Sequence, residues 1–131
     1  MRTLTREDKL KYLKTYRETH RRERYLYNRE YFHKLKLTVL THYSGTNPPQ
    51  CANPYGEHKE PYTNIKALSI DHINGGGNKH RKTIGWSLYY WLIAHNYPKG
   101  FQVLCMNCQF IKKYEEAYTE SLNRIERKGM I

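Results

Sequence analysis

No run of apolar side chains in this 131-residue sequence approaches the roughly 20 residues that a membrane-spanning helix needs. The charged N-terminus also lacks the apolar core of a secretory signal. Acidic residues are few, 12 against 23 lysines and arginines, and the formal net charge is +11. Such an excess favours a polyanionic partner, first nucleic acid and second an anionic membrane surface. We therefore expect an intracellular protein that works beside nucleic acid, in the cytoplasm or nucleoid of a host cell or in an organelle.

Cysteine is scarce as well, and its three copies argue against an extracellular disulfide scaffold. The number is odd, and two of the cysteines form the C-x-x-C pair of Cys105 and Cys108. A thioredoxin-like redox pair would need a βαβ context, which the surrounding sequence lacks. The pair lies instead between a predicted strand, Phe101–Leu104, and a predicted helix from Gln109 to about Lys128. At such a junction a short loop lets both thiolates reach one tetrahedral zinc ion.

A structural zinc site needs four ligands. Cys51 supplies a third thiolate beside the C-x-x-C pair, and His58 is the predicted fourth ligand, with His42 and His95 as weaker alternatives. The competing interpretation is that Cys51 is a free buried thiol. In so small a domain zinc would compensate for a thin core. A closed site with four protein ligands leaves no open position for a substrate, so we expect its role to be structural.

Glycine and proline are absent between Thr5 and Tyr43, which predicts one long helix or two helices with a soft joint. Thr5 is the predicted N-cap. The middle of this arm, His20 to Arg24, is almost wholly charged, so a helix there needs a partner. Basic residues run along the arm among tyrosines, and either contact nucleic acid or form a solvated charged face. The predicted contacts to nucleic acid are Arg17, Arg21, Arg22, Arg24 and Arg29.

The glycine- and proline-containing stretch Ser44–Pro49 is a clear breaker and predicts a domain boundary. The chain then divides into a basic helical arm, residues 1–44, and a second domain, residues 45–131. Leucines and valine near the end of the arm, between Leu35 and Leu40, mark the point where the helix joins a core. Farther along, Trp86 to Asn96 predicts a short helix with Leu88 on its inner face.

The stretch Leu68–Lys82 reads LSIDHINGGGNKHRK and puts Asp71 beside His72 at the end of a predicted strand, Ile65–Ile70. Neighbouring strand side chains point to opposite faces, so at a strand end both can border one cleft. A carboxylate suits Mg²⁺ or Mn²⁺, and a histidine can take a proton from water near neutral pH. The competing interpretation is that Asp71 and His72 are two polar residues at an ordinary strand end beside a turn. The following residues suit a phosphate or form an exposed polar loop: Asn78, Lys79, His80, Arg81 and Lys82.

Three features together resemble the HNH endonuclease family, in its zinc-knuckle branch. They are the Asp-His strand end, the triple-glycine turn Gly75–Gly77, and the stretch from Val103 through the C-x-x-C pair to Lys112. The resemblance covers residues 45 to 115 and is especially close to the small HNH proteins of mobile introns and phages, which often carry a basic helical arm. It implies an α+β fold: a small ββα-metal core, also called a His-Me finger, with a structural zinc site, preceded by the long basic arm.

The resemblance also implies roles for single residues. His72 would be the general base, and Asp71 would bind a catalytic Mg²⁺ or Mn²⁺ that stabilises charge on the leaving 3′-oxygen. Family members commonly have Asn or His directly after the second knuckle cysteine, where this chain has Gln109 as the candidate metal ligand. The middle Asn of the family has no counterpart before the knuckle, and Asn78 or His80 would replace it. The first knuckle has one cysteine instead of the usual two.

These observations predict a metal-dependent endonuclease that cuts double-stranded DNA, of the homing or phage type. A catalytically degenerate, zinc-stabilised DNA-binding module is the alternative, since Gln109 and the missing middle Asn depart from the family pattern. A binder of structured RNA is a third, because positive charge and tyrosines serve RNA equally well. Lys112, on the exit helix, would face backbone phosphate or solvent. The target sequence, the number of strands cut and the formation of a homodimer are left open, since phosphate contacts carry no base code.

Overall fold

The computed structural model describes residues 2–85 and 87–129 of the chain. Within those residues it is an α+β protein with five α-helices and one two-stranded antiparallel sheet. The chain forms two compact units, Met1–Lys34 and Leu35–Ile131. The predicted boundary after residue 44 thus falls inside the second unit, because the last turns of the second helix carry Val39 and Leu40, both fully buried, into its core.

Helix α1 covers Arg6–Thr19 and begins at the predicted N-cap. The Thr5 hydroxyl accepts a hydrogen bond from the Asp8 amide at 3.1 Å, and the Asp8 carboxylate accepts one from the Thr5 amide at 3.0 Å. This capping box satisfies two amides that a helix start leaves without partners. Helix α2 follows at Arg21–Ser44. The soft joint is therefore a single residue, His20, whose ring bonds to the Tyr16 carbonyl at 2.8 Å.

The sheet of the second unit pairs β1, Leu68–His72, with β2, Phe101–Cys105. The predicted strand Phe101–Leu104 is confirmed, whereas the predicted strand Ile65–Ile70 begins three residues before the observed β1 and ends two residues before it. Ile65–Ala67 forms a 3₁₀ turn, because the Asn64 side chain caps the Lys66 amide at 3.1 Å. The antiparallel register sets Asp71 opposite Gln102 and His72 opposite Phe101.

Three helices complete the second unit: α3 at Gly77–Ile84, α4 at Leu88–Ala94 and α5 at Met106–Arg127. The segment after the triple glycine, for which an exposed polar loop was the competing interpretation, is helical: α3 begins there from Gly76, whose left-handed φ of 81° suits glycine. The predicted helix Trp86 to Asn96 is shorter, and Trp86 lies outside the described residues. It stops because Asn96 and Tyr97 both have positive φ.

Helix α5 begins three residues earlier than predicted, so the second cysteine of the C-x-x-C pair lies in its first turn. The Cys105 sulfur acts as the N-cap by accepting a hydrogen bond from the Cys108 amide at 3.4 Å. The core of the unit is small, and all three cysteines belong to it. Its buried apolar residues are Val39, Leu40, Cys51, Leu68, Ile70, Leu88, Leu92, Val103, Leu104, Cys105 and Cys108. No helix in the described ranges is both long and apolar enough for a membrane crossing.

Candidate functional sites: a metal cluster and a cleft

Three thiols and one imidazole converge in the second unit, from Cys51, His58, Cys105 and Cys108, and their ligand atoms all lie within 4.8 Å of one another. His58 Nε2 is 3.1 Å from Cys105 Sγ and 3.6 Å from Cys108 Sγ. A tetrahedral zinc ion with bonds of about 2.3 Å to sulfur and 2.0 Å to nitrogen sets such atoms roughly 3.5–3.8 Å apart. We call these four residues the Cys3His cluster. The donor set and its spacing fit a metal ion of this kind, and they support the predicted ligands.

The first two members of the Cys3His cluster are presented by a loop that Asn53 organises. The Asn53 side chain accepts a hydrogen bond from the His58 amide at 3.0 Å and donates one to the His58 carbonyl at 2.9 Å. Cys51 is anchored by its amide to the Tyr62 carbonyl at 3.0 Å, and its sulfur accepts from the Cys105 amide at 3.3 Å. Amide donors around a sulfur stabilise its anionic form. The loop therefore holds two ligands against the C-x-x-C turn.

The thiols of the Cys3His cluster differ in acidity. Burial raises the pKa of Cys105, but hydrogen bonds from the Cys108 amide and His58 outweigh it and lower that pKa to about 7. Burial and the neighbouring thiols raise the pKa of Cys108 to about 12. Without a metal, the surrounding protein groups thus stabilise the thiolate of Cys105 but disfavour ionisation of Cys108. A divalent cation would stabilise both thiolates, which is why metal binding to such clusters releases protons.

The two weaker candidates for the fourth ligand lie away from the cluster. His42 stacks on Tyr97 with ring centroids 3.8 Å apart, and His95 stacks on Trp91 at 4.1 Å. The His95 ring also bonds to the Trp91 carbonyl at 2.8 Å. Both histidines are exposed and stack on aromatic rings, so His58 is the histidine of the cluster.

A second site opens at the end of β1, where the strand, the glycine turn, α3 and α5 meet. We call it the His72 cleft. Both members of the Asp-His pair border it, as do most of the predicted phosphate contacts. Its lining residues are Ile70, Asp71, His72, Gly75, Gly76, Gly77, Asn78, Lys79, Arg81, Gln109, Lys112, Lys113 and Glu116. Lys82 is exposed on α3 and is not among these residues.

His72 is half-buried and held on two sides. Its Nε2 lies 2.8 Å from Nδ1 of His80, and its ring packs edge-on against Phe101 at 4.8 Å between centroids. Burial lowers the pKa of His72, and the nearby His80 and Arg81 lower it further. The imidazole is therefore neutral at pH 7, the form that a proton acceptor needs.

Asp71 is paired within the protein. Lys112 donates to its Oδ2 at 2.6 Å and to the His72 carbonyl at 2.5 Å, and Gln102, opposite in the sheet register, donates to the same Oδ2 at 3.0 Å. The prediction that Lys112 faces phosphate or solvent is wrong for this structure, because its side chain is only 13% exposed and turns inward to the carboxylate. The Lys112 ammonium also lies 3.7 Å from Glu116. Two carboxylates therefore create a position that favours a cation.

The proposed magnesium ligands can be tested against these contacts. Gln109 borders the cleft, but its amide nitrogen contacts the Ser69 hydroxyl. Asp71 and Glu116 offer the carboxylate oxygens that Mg²⁺ and Mn²⁺ prefer, and Mg²⁺ commonly keeps several waters beside one or two carboxylates. A divalent ion at Asp71 would have to displace the Lys112 ammonium from the carboxylate.

Sequence reasoning missed three participants in the His72 cleft. Glu116 lies one helical turn beyond Lys112, an i,i+4 spacing that predicts an ion pair. Gln102 follows from the antiparallel register once β1 and β2 are paired. Gly77 passes so close to His72 that a Cβ there would lie 3.0 Å from Nδ1, and no local sequence signal distinguishes it from its two neighbouring glycines.

The first unit presents a basic concave surface where α1 and α2 meet. We call it the arm surface, lined by Lys14, Arg17, Glu18, Arg21, Arg24 and Tyr25. Arg22 and Arg29, also predicted contacts, are exposed on α2. None of the residues of α1 is buried, and its large apolar side chains are exposed, Leu10 by 57% and Tyr12 by 67%. Such helices gain little from tertiary packing of their own.

Comparison of the chain with models of known protein families, with curated proteins and with solved structures finds no match in any of the three. What this chain does must therefore be argued from the His72 cleft, the Cys3His cluster and the arm surface themselves.

Proposed function

We propose that this chain is a metal-dependent endonuclease that hydrolyses phosphodiester bonds of double-stranded DNA, with His72 as the general base. The observation that carries the proposal is the shared cleft of a neutral histidine, a carboxylate and a basic helix. Those are the parts that phosphodiester hydrolysis requires: a proton acceptor, a cation ligand and positive charge for the phosphate. The resemblance to the HNH family points to the same chemistry and suggests a homing or phage-type role.

The residues of the His72 cleft would divide the work. His72 takes a proton from the attacking water, while Lys79 and Arg81, both exposed at the cleft, bind the phosphate that is cut. Asp71 and Glu116 would hold the divalent ion, with Gln109 as a further ligand if its side chain turns from Ser69. When bound, such an ion stabilises the negative charge that develops on the leaving 3′-oxygen.

We propose zinc as the ion of the Cys3His cluster, and a structural role for it. Three sulfurs and one imidazole nitrogen are the donors that zinc prefers in four-coordinate sites. The three cysteines belong to the small apolar core, and four protein ligands leave no open position on the ion for a substrate. Catalysis and metal-supported folding would then be separate functions of two neighbouring sites.

The nuclease proposal is tested by incubating the protein with supercoiled plasmid that carries a library of candidate target sites. We expect nicked or linear plasmid with Mg²⁺ or Mn²⁺ and intact plasmid when EDTA is added, and sequencing the new ends would identify the target. Zinc content and a melting curve on the same sample establish that the protein is folded. An intact plasmid in the presence of folded, DNA-binding protein and either ion would contradict the proposal.

A second candidate function, a non-catalytic DNA-binding module, is favoured by two contacts in the cleft. Lys112 already neutralises Asp71, and the Gln109 amide is engaged by Ser69. The two candidates differ in what the wild-type protein binds. A working site should bind Mn²⁺ with Lys112 in place, whereas a site that Lys112 blocks should bind it only after Lys112→Met, and electron paramagnetic resonance of Mn²⁺ measures the difference directly.

The arm surface should contribute non-specific affinity for DNA. Replacing Arg17, Arg21 and Arg24 with glutamine removes three charges, and we expect the slope of log K against log salt to fall by roughly 2–3 units, at about 0.9 per phosphate contact. Fluorescence anisotropy with a labelled duplex at several salt concentrations measures that slope.

The matched control removes the same charge from the end of α5, at Arg124, Arg127 and Lys128, and should leave the slope nearly unchanged. Equal slopes for both triple variants would show that net charge rather than the arm surface binds DNA. Competition by structured RNA in the same assay tests the alternative that the chain binds structured RNA. If it does, RNA should displace the labelled duplex more readily than unlabelled duplex does.

A further inference from the structure

Helix α5 has an apolar side that its own fold leaves uncovered. Among its 22 residues only Cys108 is buried. Large apolar side chains recur at every fourth position, and each is exposed over about half its surface or more, Phe110 by 66% and Tyr114 by 73%. We call this row the α5 ridge: Met106, Phe110, Tyr114 and Tyr118. Side chains four residues apart lie one above the other on a helix, so the ridge is continuous.

The α5 ridge lies on the side of the helix opposite the sheet. Three residues form a second row with the same spacing: Cys108, Lys112 and Glu116. In that row Cys108 is buried in the core, and Lys112 bonds to Asp71 at the end of β1. The ridge is displaced from it by two residues, which is about 200° around a helix of 3.6 residues per turn. A partner bound to the ridge would therefore leave the His72 cleft open.

One edge of the α5 ridge carries opposite charges two turns apart, Lys113 and Glu120, both exposed. When two copies of one helix pack antiparallel about a two-fold axis, the same edge of each helix faces the other. Tyr114 can then lie beside Tyr118 of the second copy. In that register Lys113 lies beside Glu120 of the second copy, and the symmetry makes the contact twice. Glu120 also lies 3.5 Å from Arg124 of its own helix, and its second carboxylate oxygen remains for the lysine.

The same register pairs the remaining apolar residues and includes one unfavourable contact. Phe110 lies beside Leu122 of the second copy, and the small side chain of Ala117 lies next to the axis. On the other edge Glu115 faces Glu115 of the second copy, and like charges there oppose association. Antiparallel helix dipoles favour it. The ridge is thus complementary to itself in one orientation, with a charge pattern that can be tested.

We infer that the α5 ridge is an interface between two copies of this chain, packed with their α5 helices antiparallel. Its three aromatic side chains, 57–73% exposed, offer about 400 Å² per copy, taking roughly 200 Å² for each. That is about half of the ~800 Å² that each partner buries in a stable complex of standard size. The flanks of the helix must supply the rest, so we expect a reversible dimer with a micromolar dissociation constant. The inference does not depend on the proposed nuclease activity.

Analytical ultracentrifugation of the full chain without DNA, over a range of concentrations, measures the dimer. We expect Tyr114→Glu to weaken association about ten-fold or more, because it places a charge from each copy at the centre of the interface. The matched control, Tyr27→Glu, makes the same change on α2 at a tyrosine of similar exposure, 70%, and should associate like the wild type. Circular dichroism of both variants establishes that the helices are retained.

Two substitutions that change the net charge equally test the antiparallel register. Glu120→Gln removes the contact with Lys113 of the second copy and should weaken the dimer a few-fold, whereas Glu115→Gln removes a like-charge contact and should strengthen it. A general effect of charge would move both dissociation constants in the same direction and would contradict the register. The reversed pair Lys113→Glu/Glu120→Lys should recover the affinity that either single reversal loses.

A chain that stays monomeric at millimolar concentration, or that associates equally well as Tyr114→Glu, would overturn the inference. Another occupant of the ridge would be recognised in the same variants. If the monomer binds vesicles of equimolar phosphatidylcholine and phosphatidylserine, and Tyr114→Glu abolishes that binding, the ridge is a membrane-binding surface and the inference is wrong.

Discussion

Replacing Cys108 with serine is expected to release the metal from the Cys3His cluster and to abolish the cooperative unfolding transition of the second unit. Structural zinc contributes about 10–16 kcal/mol of binding free energy in small zinc domains. Whole domains are stable by only about 5–15 kcal/mol, so the apoprotein has little stability left. Cys108 is fully buried and belongs to the core, so its loss also removes packing. Metal content by mass spectrometry and a melting curve followed by circular dichroism measure both effects.

His58 gives a milder version of the same experiment, because it is half-buried at the edge of the cluster. His58→Ala should weaken zinc binding and lower the melting temperature, while the matched variant His95→Ala should leave metal content at one ion per chain. Restoring a ligand with His58→Cys should recover much of the metal affinity. Full zinc content and wild-type melting in both Cys108→Ser and His58→Ala would contradict the assignment of this cluster.

Asp71→Asn is expected to abolish cleavage that depends on Mg²⁺ or Mn²⁺. The substitution removes the carboxylate proposed to hold the ion, and an amide is a weaker ligand for such hard cations. It also removes the nearer of the two carboxylates that contact the Lys112 ammonium, which is only 13% exposed, and leaves Glu116 at 3.7 Å. Removing one partner of a buried pair costs stability as well as function. We expect loss of cleavage by two or more orders of magnitude, on the scale of acid–base and metal catalysis.

The double variant Asp71→Asn/Lys112→Met separates these two effects. It should regain stability, because the ammonium that lost its nearer carboxylate is gone, while cleavage stays absent. Melting curves and plasmid cutting of the single and double variants, compared with Lys112→Met alone, give both quantities. Cleavage by Asp71→Asn at the wild-type rate would show that this carboxylate does not hold the ion.

Local signals in the sequence were sufficient for several features. The Thr5 cap, the end of the arm helix near the Ser44–Pro49 breaker and the strand Phe101–Leu104 are each set by chain neighbours. Donor chemistry and the C-x-x-C spacing also indicated the three cysteines of the Cys3His cluster and favoured His58, but the choice of His58 over His42 and His95 came from the structure. The zinc itself and the nuclease activity stay predictions.

Contacts that depend on distant parts of the chain could not be predicted. Lys112 lies 41 residues beyond Asp71, and its inward turn follows from the approach of α5 to the end of β1. The pairing of His72 with His80 depends on α3, a helix that the three consecutive glycines before Asn78 gave no reason to predict. Glycine has low helix propensity, but Gly76 supplies the left-handed N-cap from which the helix begins. Such outcomes are decided by tertiary packing rather than by local preference.

The most direct test of the nuclease proposal is a comparison of wild-type protein with His72→Ala, both zinc-loaded, on the same plasmid library in Mg²⁺. The two proteins should bind duplex DNA with equal affinity, because His72 is neutral and the arm surface is unchanged. The wild type should nick or linearise the plasmid, and His72→Ala should cut about 10²–10⁴ times more slowly, the usual contribution of a general base. Equal cutting by the two proteins, or none by either, would contradict the account.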